Sequence, residues 1–357
     1  FDRFAFCGAV SSWRRGWTPT RMAEAIIEPD LEIVDAHHHF FLPAAPACTP
    51  PRECISPVGR YMAEDLAEDV HSGHNVVATV FVQCYEMYRG EGPAHLRYAG
   101  ETEFVQGIAA IGSNGALGPC RLCAGIVASA DHEAGAAEMR ETLAAHRAAG
   151  RNFRGIRFLG GRAESLPLRD ARFREAFAVL VEEGVTFDIN GPETFPLDFA
   201  GHLARVAELA EAFPKATIVV DHCGGLVGPK AFGGVDGAVA LQVWKDCVAR
   251  LGKSPNVHMK LGGITMVPNG FGLQERPTPI GSEELAELLM PYFSHCLDCF
   301  GAERCMFESN FPMDRVCVPY ATLWNAYKRV AAKRGLSGAE KKAVFARTAK
   351  RVYRLSL

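Results

Sequence analysis

No apolar run in this chain approaches the roughly 18 residues that a bilayer-spanning helix requires, so no membrane partner is expected. Neither sign of charge dominates. The chain has 38 lysines and arginines against 41 aspartates and glutamates, a formal charge of -3, and this balance offers no basic field for nucleic acid. A Gly-x-Gly-x-x-Gly turn is missing after the first apolar run, which argues against a dinucleotide site. Acids are scarce at the start, where Asp2 stands alone among Arg3, Arg14, Arg15 and Arg21. Such a lead reads either as a targeting peptide or as sequence upstream of a true start at Met22. It lacks an apolar core and a cleavage-like site, which favours the second reading. We therefore set residues 1–30 apart as an N-terminal extension and expect one domain over residues 31–357.

What is present is an ordinary globular balance, 48% hydrophobic and 22% charged, in a length that suits a barrel with inserted loops. Cysteine is abundant, with 12 residues, two pairs of which (Cys120/Cys123 and Cys296/Cys299) have Cys-x-x-Cys spacing. The pairs lie far apart, one opening a predicted strand and one inside a helical pattern. A zinc ribbon needs short loops that present its thiolates, so buried, reduced thiols in a cytoplasmic protein are expected instead.

From Leu31 onward, short apolar runs alternate with amphipathic segments. Residues 32–35, 76–82, 122–127, 153–158, 185–189, 217–221, 256–261 and 304–308 predict strands, because strands buried on both faces read as continuous apolar sequence. Helices are predicted between them, among others over 133–149, 170–183, 198–213, 283–300 and 319–334. Gly150, Gly184, Gly252 and Gly301 are expected as left-handed caps. Eight strand–helix units predict an α/β fold, one (β/α)8 TIM barrel, with a doubly wound open sheet as the alternative. Three long stretches, 40–60, 84–100 and 262–281, follow strands. In a barrel they form a mouth or lid at the C-terminal face.

The first strand runs into His37-His38-His39. Strand side chains alternate, which predicts Asp35, His37 and His39 on one face and His38 on the other. Two imidazoles at a strand end suit a metal or a substrate oxygen; the bland alternative is a solvated loop. Other strand ends supply Gln83, Tyr85, Glu86, Arg157, Asp188, Asn190, Asp221, His222, Lys260, Glu308 and Asn310. Each alone has a structural explanation. Together they point to a site, since buried charge is costly unless paired or used.

In order and spacing, five segments resemble the amidohydrolase-related branch of the amidohydrolase superfamily, which includes sugar-lactone and 2-pyrone-4,6-dicarboxylate lactonases. They are Asp35-Ala36-His37-His38-His39, Phe153-Arg154-Gly155-Ile156-Arg157, Val219-Val220-Asp221-His222-Cys223-Gly224, Asn256 to Gly262, and Met306-Phe307-Glu308-Ser309-Asn310-Phe311-Pro312. The last departs from the family's Gly-Ser-Asp-Trp-Pro. Asn310 takes the place of the Asp, and an amide is no base near neutrality. Glu308, two residues earlier, or Asp314, just past Pro312, is expected to replace it, with Glu308 favoured.

The resemblance implies a hydrolase for a small, anionic lactone or ester-like carbonyl. His37, His39 and His222 would bind the carbonyl, directly or through one divalent metal, zinc or manganese. Family members that work without metal keep the metal-free mechanism open beside it. Arg157 would hold a substrate carboxylate, with Tyr85 and Lys260 as further contacts, and Glu308 would activate water once the site raised its pKa. A metal-dependent decarboxylase or hydratase, or a non-catalytic ligand-binding barrel, are the alternatives. The oligomeric state is not indicated.

Overall fold

The computed structural model describes residues 24–42, 59–131, 133–158, 167–190, 199–225, 228–229 and 236–357. Eight strands form one parallel sheet in chain order: β1 Ile33–His38, β2 Val76–Val82, β3 Arg121–Ala128, β4 Phe153–Phe158, β5 Thr186–Ile189, β6 Ile218–Val220, β7 Val257–Leu261 and β8 Cys305–Phe307. The ring closes just past β8. His38 bridges Phe311, His39 N–H donates to Phe311 O at 2.7 Å, and Asn310 N–H donates to His37 O at 2.8 Å. This is a (β/α)8 barrel, not an open sheet. Its strands are short and buried on nearly every residue because helices cover them outside and packed side chains fill them inside.

The helices fall where their periodicity places them: Ala136–Ala149, Ala171–Glu182, Phe199–Ala212, Ser282–Phe300 and Tyr320–Lys333, with Ala63–Val70, Ala99–Ser113 and Gly237–Gly252 completing the ring. Asp170 caps one by accepting from Arg172 and Phe173 N–H, at 2.8 and 3.1 Å. Gly184 and Gly301 have positive φ as expected. Gly150 and Gly252 do not. Gly150 is extended and Gly252 ends its helix, and what keeps a side chain out is close packing, against Thr102 and Cys299 respectively.

The barrel floor is apolar. Val34, Ala36, Val80, Val127, Val219 and Met306 pack inside it with Ala346, Ala349, Val352 and Tyr353. Ala346, Ala349 and Val352 come from the consecutive helical turns Ala343–Arg347 and Thr348–Val352, which run under the strands, and Tyr353 follows directly. Residues 24–28 strap the outer wall, where Lys328 Nζ donates to the carbonyls of Ile27 and Glu28 at 2.8 and 2.9 Å. At the C-terminal face, 84–100 and 262–281 are irregular with short 3₁₀ turns, as expected of a mouth. Of 40–60, most lies outside the described residues; Phe41 and Tyr61 pair at its base. Among the described residues no helix is long and apolar enough to cross a membrane. The described cysteines are free thiols, and among the described residues no group of cysteines is placed to hold a metal.

Candidate active site

β1 delivers its histidines through an irregular stretch. Its register against β2 shifts between Asp35 and His38. Asp35 therefore does not join His37 and His39, contrary to the alternation expected of a regular strand. It faces the outer wall, accepting from Ser309 N–H at 2.8 Å and Tyr320 OH at 3.0 Å, and burial pushes its pKa up to about 6. His38 also leaves the site. Its Nε2 meets Thr79 Oγ1 at 2.9 Å and its ring packs on Phe40 and Phe81.

His37, His39 and His222 come together with Glu308. His37 and His222 are 4.7 Å apart between ring centroids, as are His37 and His39. The Glu308 carboxylate lies between two of the rings, Oε1 2.7 Å from His222 Nδ1 and Oε2 2.9 Å from His37 Nδ1. His39 Nδ1 is 2.7 Å from Val82 O. A carboxylate and a carbonyl only accept, so His222 and His39 each carry a proton on Nδ1, while His37 Nδ1 faces both the Glu308 carboxylate and the Lys260 ammonium, 3.2 Å away. Nε2 of His37 and of His39 lie 3.1 Å apart. At that distance a proton on one of the two nitrogens makes a hydrogen bond between the rings.

Glu308 was expected to be a base with a raised pKa. The structure corrects this. Burial does push it up, but His222 and His37 outweigh burial and hold the carboxyl well below its ordinary range. The partner effect appears in His222, where burial disfavours the charged ring yet Glu308 raises its pKa above 6.5. His37 and His39 go the other way; burial, then the nearby cations Lys260 and Arg157 respectively, keep them neutral. Backbone conformation fixes the arrangement. His222, Cys223 and Asn310 all have positive φ, rare for non-glycine residues and concentrated here. Gly263 lies so close over the His222 ring that any side chain there would clash with Nδ1.

Below the rings lies a second layer. Lys260 Nζ is 2.9 Å from both Asp188 Oδ2 and Asp221 Oδ1, and 3.2 Å from His37 Nδ1. All are fully buried. Lys260, expected to touch substrate, has its ammonium held between two carboxylates instead. Tyr353 OH donates to Asp188 Oδ2 at 2.6 Å. Arg157 is 3% exposed; Nη1 is 3.4 Å from His37 Nε2, Nη2 donates to Gln83 O, and Nε has no partner among the described residues. Tyr85 stands apart, 44% exposed at positive φ on the loop after β2. Glu101 ties that loop down, accepting from Cys84 and Glu86 N–H at 2.9 and 3.0 Å. Asp314 does not swing free. It accepts from Thr265 N–H at 3.0 Å and from Asn310 Nδ2 at 2.6 Å, and burial pushes it up to about 7.

The sequence named Asp188 and Asp221 as strand ends without a role, and missed Tyr353. Its signal was the small and apolar spacing of Ala346, Ala349, Val352 and Tyr353, which reads as an ordinary helix face until the lumen is seen to receive it.

The amidohydrolase family model matches residues 114–355, more than half of the chain, and the protein belongs to that family. Two curated relatives match: the uncharacterized protein y4mH of Sinorhizobium fredii, 28% identical over 188 residues, 52% of this chain, and an L-fucono-1,5-lactonase of Burkholderia ambifaria, 26% identical over 206 residues, 57% of this chain. The chain spans only 53% and 62% of those relatives' own lengths. Among solved structures, an amidohydrolase from Burkholderia multivorans, in a form with bound HEPES, is 23% identical with a TM-score of 0.67, covering 91% of this chain and 99% of that one. Another form of it holds zinc. A 5-carboxyvanillate decarboxylase from Novosphingobium aromaticivorans, complexed with manganese, shares the fold at 12% identity and a TM-score of 0.56, covering 92% and 97%.

Proposed function

We propose that the protein is a cytoplasmic hydrolase that opens a small anionic lactone or a similar ester-like carbonyl. The observation that carries this reading is the convergence of His37, His39 and His222, with Nδ1 of His39 held by Val82 O and Nδ1 of His37 and of His222 beside the Glu308 carboxylate. His37 and His39 receive the carbonyl end of the substrate. Arg157, with its unpaired Nε, holds a substrate carboxylate. His222, backed by the Glu308 carboxylate, takes the proton of the attacking water and returns it to the leaving oxygen. Glu308 orients both rings and is not itself the base, because the two imidazoles outweigh burial and hold its carboxyl well below its ordinary range. Asn310, tied to Asp314, is a positioning residue. The lactonase relative supports the substrate class, and the free thiols support the compartment.

The donor set also fits a divalent ion. Imidazoles whose far nitrogens are bonded to a carboxylate or a carbonyl are the arrangement metal-ligating histidines adopt. His37, His39 and His222 would hold zinc or manganese; of these, His37 and His222 form with Glu308 a group whose ligand atoms lie within 4.8 Å of one another. A bound ion would polarise the carbonyl and lower the pKa of water. Elemental analysis of untagged protein decides whether one is present: about one ion per chain, lost in His39→Ala, is the outcome for a metal enzyme, and none in either is the outcome for imidazole-only binding.

Hydrolysis of a panel of sugar-1,5-lactones, followed by acid release, tests the reaction. Glu308→Gln should lose at least about 100-fold in kcat while remaining folded, since it removes the group that orients two rings. Wild-type turnover in that variant overturns the assignment. Release of carbon dioxide from aromatic acids, without acid release from lactones, would make the protein a lyase. Ligand-induced stabilisation with no chemistry would make it a binding protein.

A further inference from the structure

The underside of the barrel carries arginines that the site above does not use. On the neighbouring helices arginines are matched with carboxylates, Arg140 with Glu182, Arg147 with Glu183 and Arg172 with Glu138. Arg121, Arg151, Arg154 and Arg354 have no ion pair among the described residues. Those that bond at all reach neutral oxygens. Arg121 Nη1 donates to Ser356 O at 2.9 Å, Arg154 Nη1 to the carbonyls of Arg151 and Phe153 at 2.8 Å, and Arg354 Nη2 to Arg154 O at 2.7 Å. Arg354 adopts positive φ, a conformation costly for a side-chain-bearing residue, and sets its guanidinium against the start of β4. Arg154 Nε is buried without a partner. Burial and then the Arg354 charge both press the Arg154 pKa down. Glu183 lines the groove these two share but is itself paired with Arg147, and two cations set together without an ion pair of their own are a cost that an anion relieves.

Beside Arg121, Arg151 and Arg154 lies a cavity of about 300 Å³, lined also by Ser113, Asn152 and Ser356 and by no acidic side chain. We propose that this cavity is a binding site for a phosphate-bearing small molecule, at the opposite end of the barrel from the catalytic centre. Three guanidiniums, two hydroxyls and an amide outnumber what one carboxylate can accept, and they match the oxygens of a tetrahedral dianion. The site also reaches the lumen. Ser356 and Arg354 belong to the segment that follows Tyr353, whose hydroxyl bonds Asp188 under the catalytic layer. An anion held there fixes the segment that carries this contact.

Thermal unfolding of the full chain at constant ionic strength tests the site, with inorganic pyrophosphate as probe and chloride as control. Pyrophosphate should raise the Tm of the wild type, because a ligand that binds only the folded state stabilises it. The double variant R121Q/R151Q, altered at two exposed positions, should keep the wild-type Tm in chloride and lose the pyrophosphate shift. By calorimetry, Arg151→Gln alone should weaken pyrophosphate binding at least about tenfold, the loss expected for one charge-assisted contact. No shift in the wild type overturns the proposal. A shift that survives in R121Q/R151Q, or unchanged affinity in Arg151→Gln, places the anion elsewhere and also overturns it. Stabilisation by citrate and not by pyrophosphate overturns the phosphate class.

Discussion

At the floor of the barrel, Val34, Val80, Val219 and Met306 meet Ala349 and Val352, and the hydroxyl of Tyr353 is the polar group that reaches upward. One step higher, Lys260, Asp188, Asp221 and Arg157 are buried almost completely and linked by ion pairs, with Glu308 buried beside them against His37 and His222. Two strands supply both layers two residues apart, Val219 and then Asp221 at the end of β6, Met306 and then Glu308 at the end of β8. The contrast shows how a site of this kind is built. The apolar floor excludes water from below and lowers the local dielectric, and every charge above it is then strong and must be matched. Three carboxylates answer two permanent cations, and one of the three, Glu308, is what raises the pKa of His222 against its burial.

The largest test of that contrast is Lys260→Met in the upper layer. It leaves Asp188 and Asp221 buried without their cation, and urea unfolding should show a loss of about 3–5 kcal/mol. A loss below 1 kcal/mol would mean that water reaches the layer. Met306→Ala in the floor should cost about 2–4 kcal/mol through a cavity, with no change in kcat for the enzyme that remains folded. A kcat change there would erase the division between the layers. Tyr353→Phe acts at their junction. It removes one hydrogen bond to a charged group and should cost about 1.5–3 kcal/mol in the same assay. If it costs nothing, the hydroxyl is not what joins floor to site.

Most of this fold was legible in the sequence. The eight runs read as strands because each is buried on both faces, and the matching helices read by their periodicity. His37, His39, His222 and Glu308 were legible because a barrel gathers its strand ends. What was not legible depended on distance across the lumen. Asp35 keeps company with Tyr320 because of a register shift that no local pattern announces. The sign of the Glu308 shift is set by two rings contributed by β1 and the segment after β6, and sequence alone gives the carboxylate but not its neighbours. The confinement of Lys260 likewise follows from two strands and Tyr353 meeting in one place.

Closure of the ring has a consequence in time. Asp35 is latched by Ser309, 274 positions later, and Asp188 by Tyr353, 165 positions later. A chain emerging from a ribosome presents its histidines first and waits for most of its synthesis before Glu308 can orient them. Throughout that interval β1 has an unpaired edge, the kind of surface that recruits other strands. Catalytic competence is therefore among the last properties the nascent protein acquires, and a pause before β8 is the moment at which it is most exposed to aggregation.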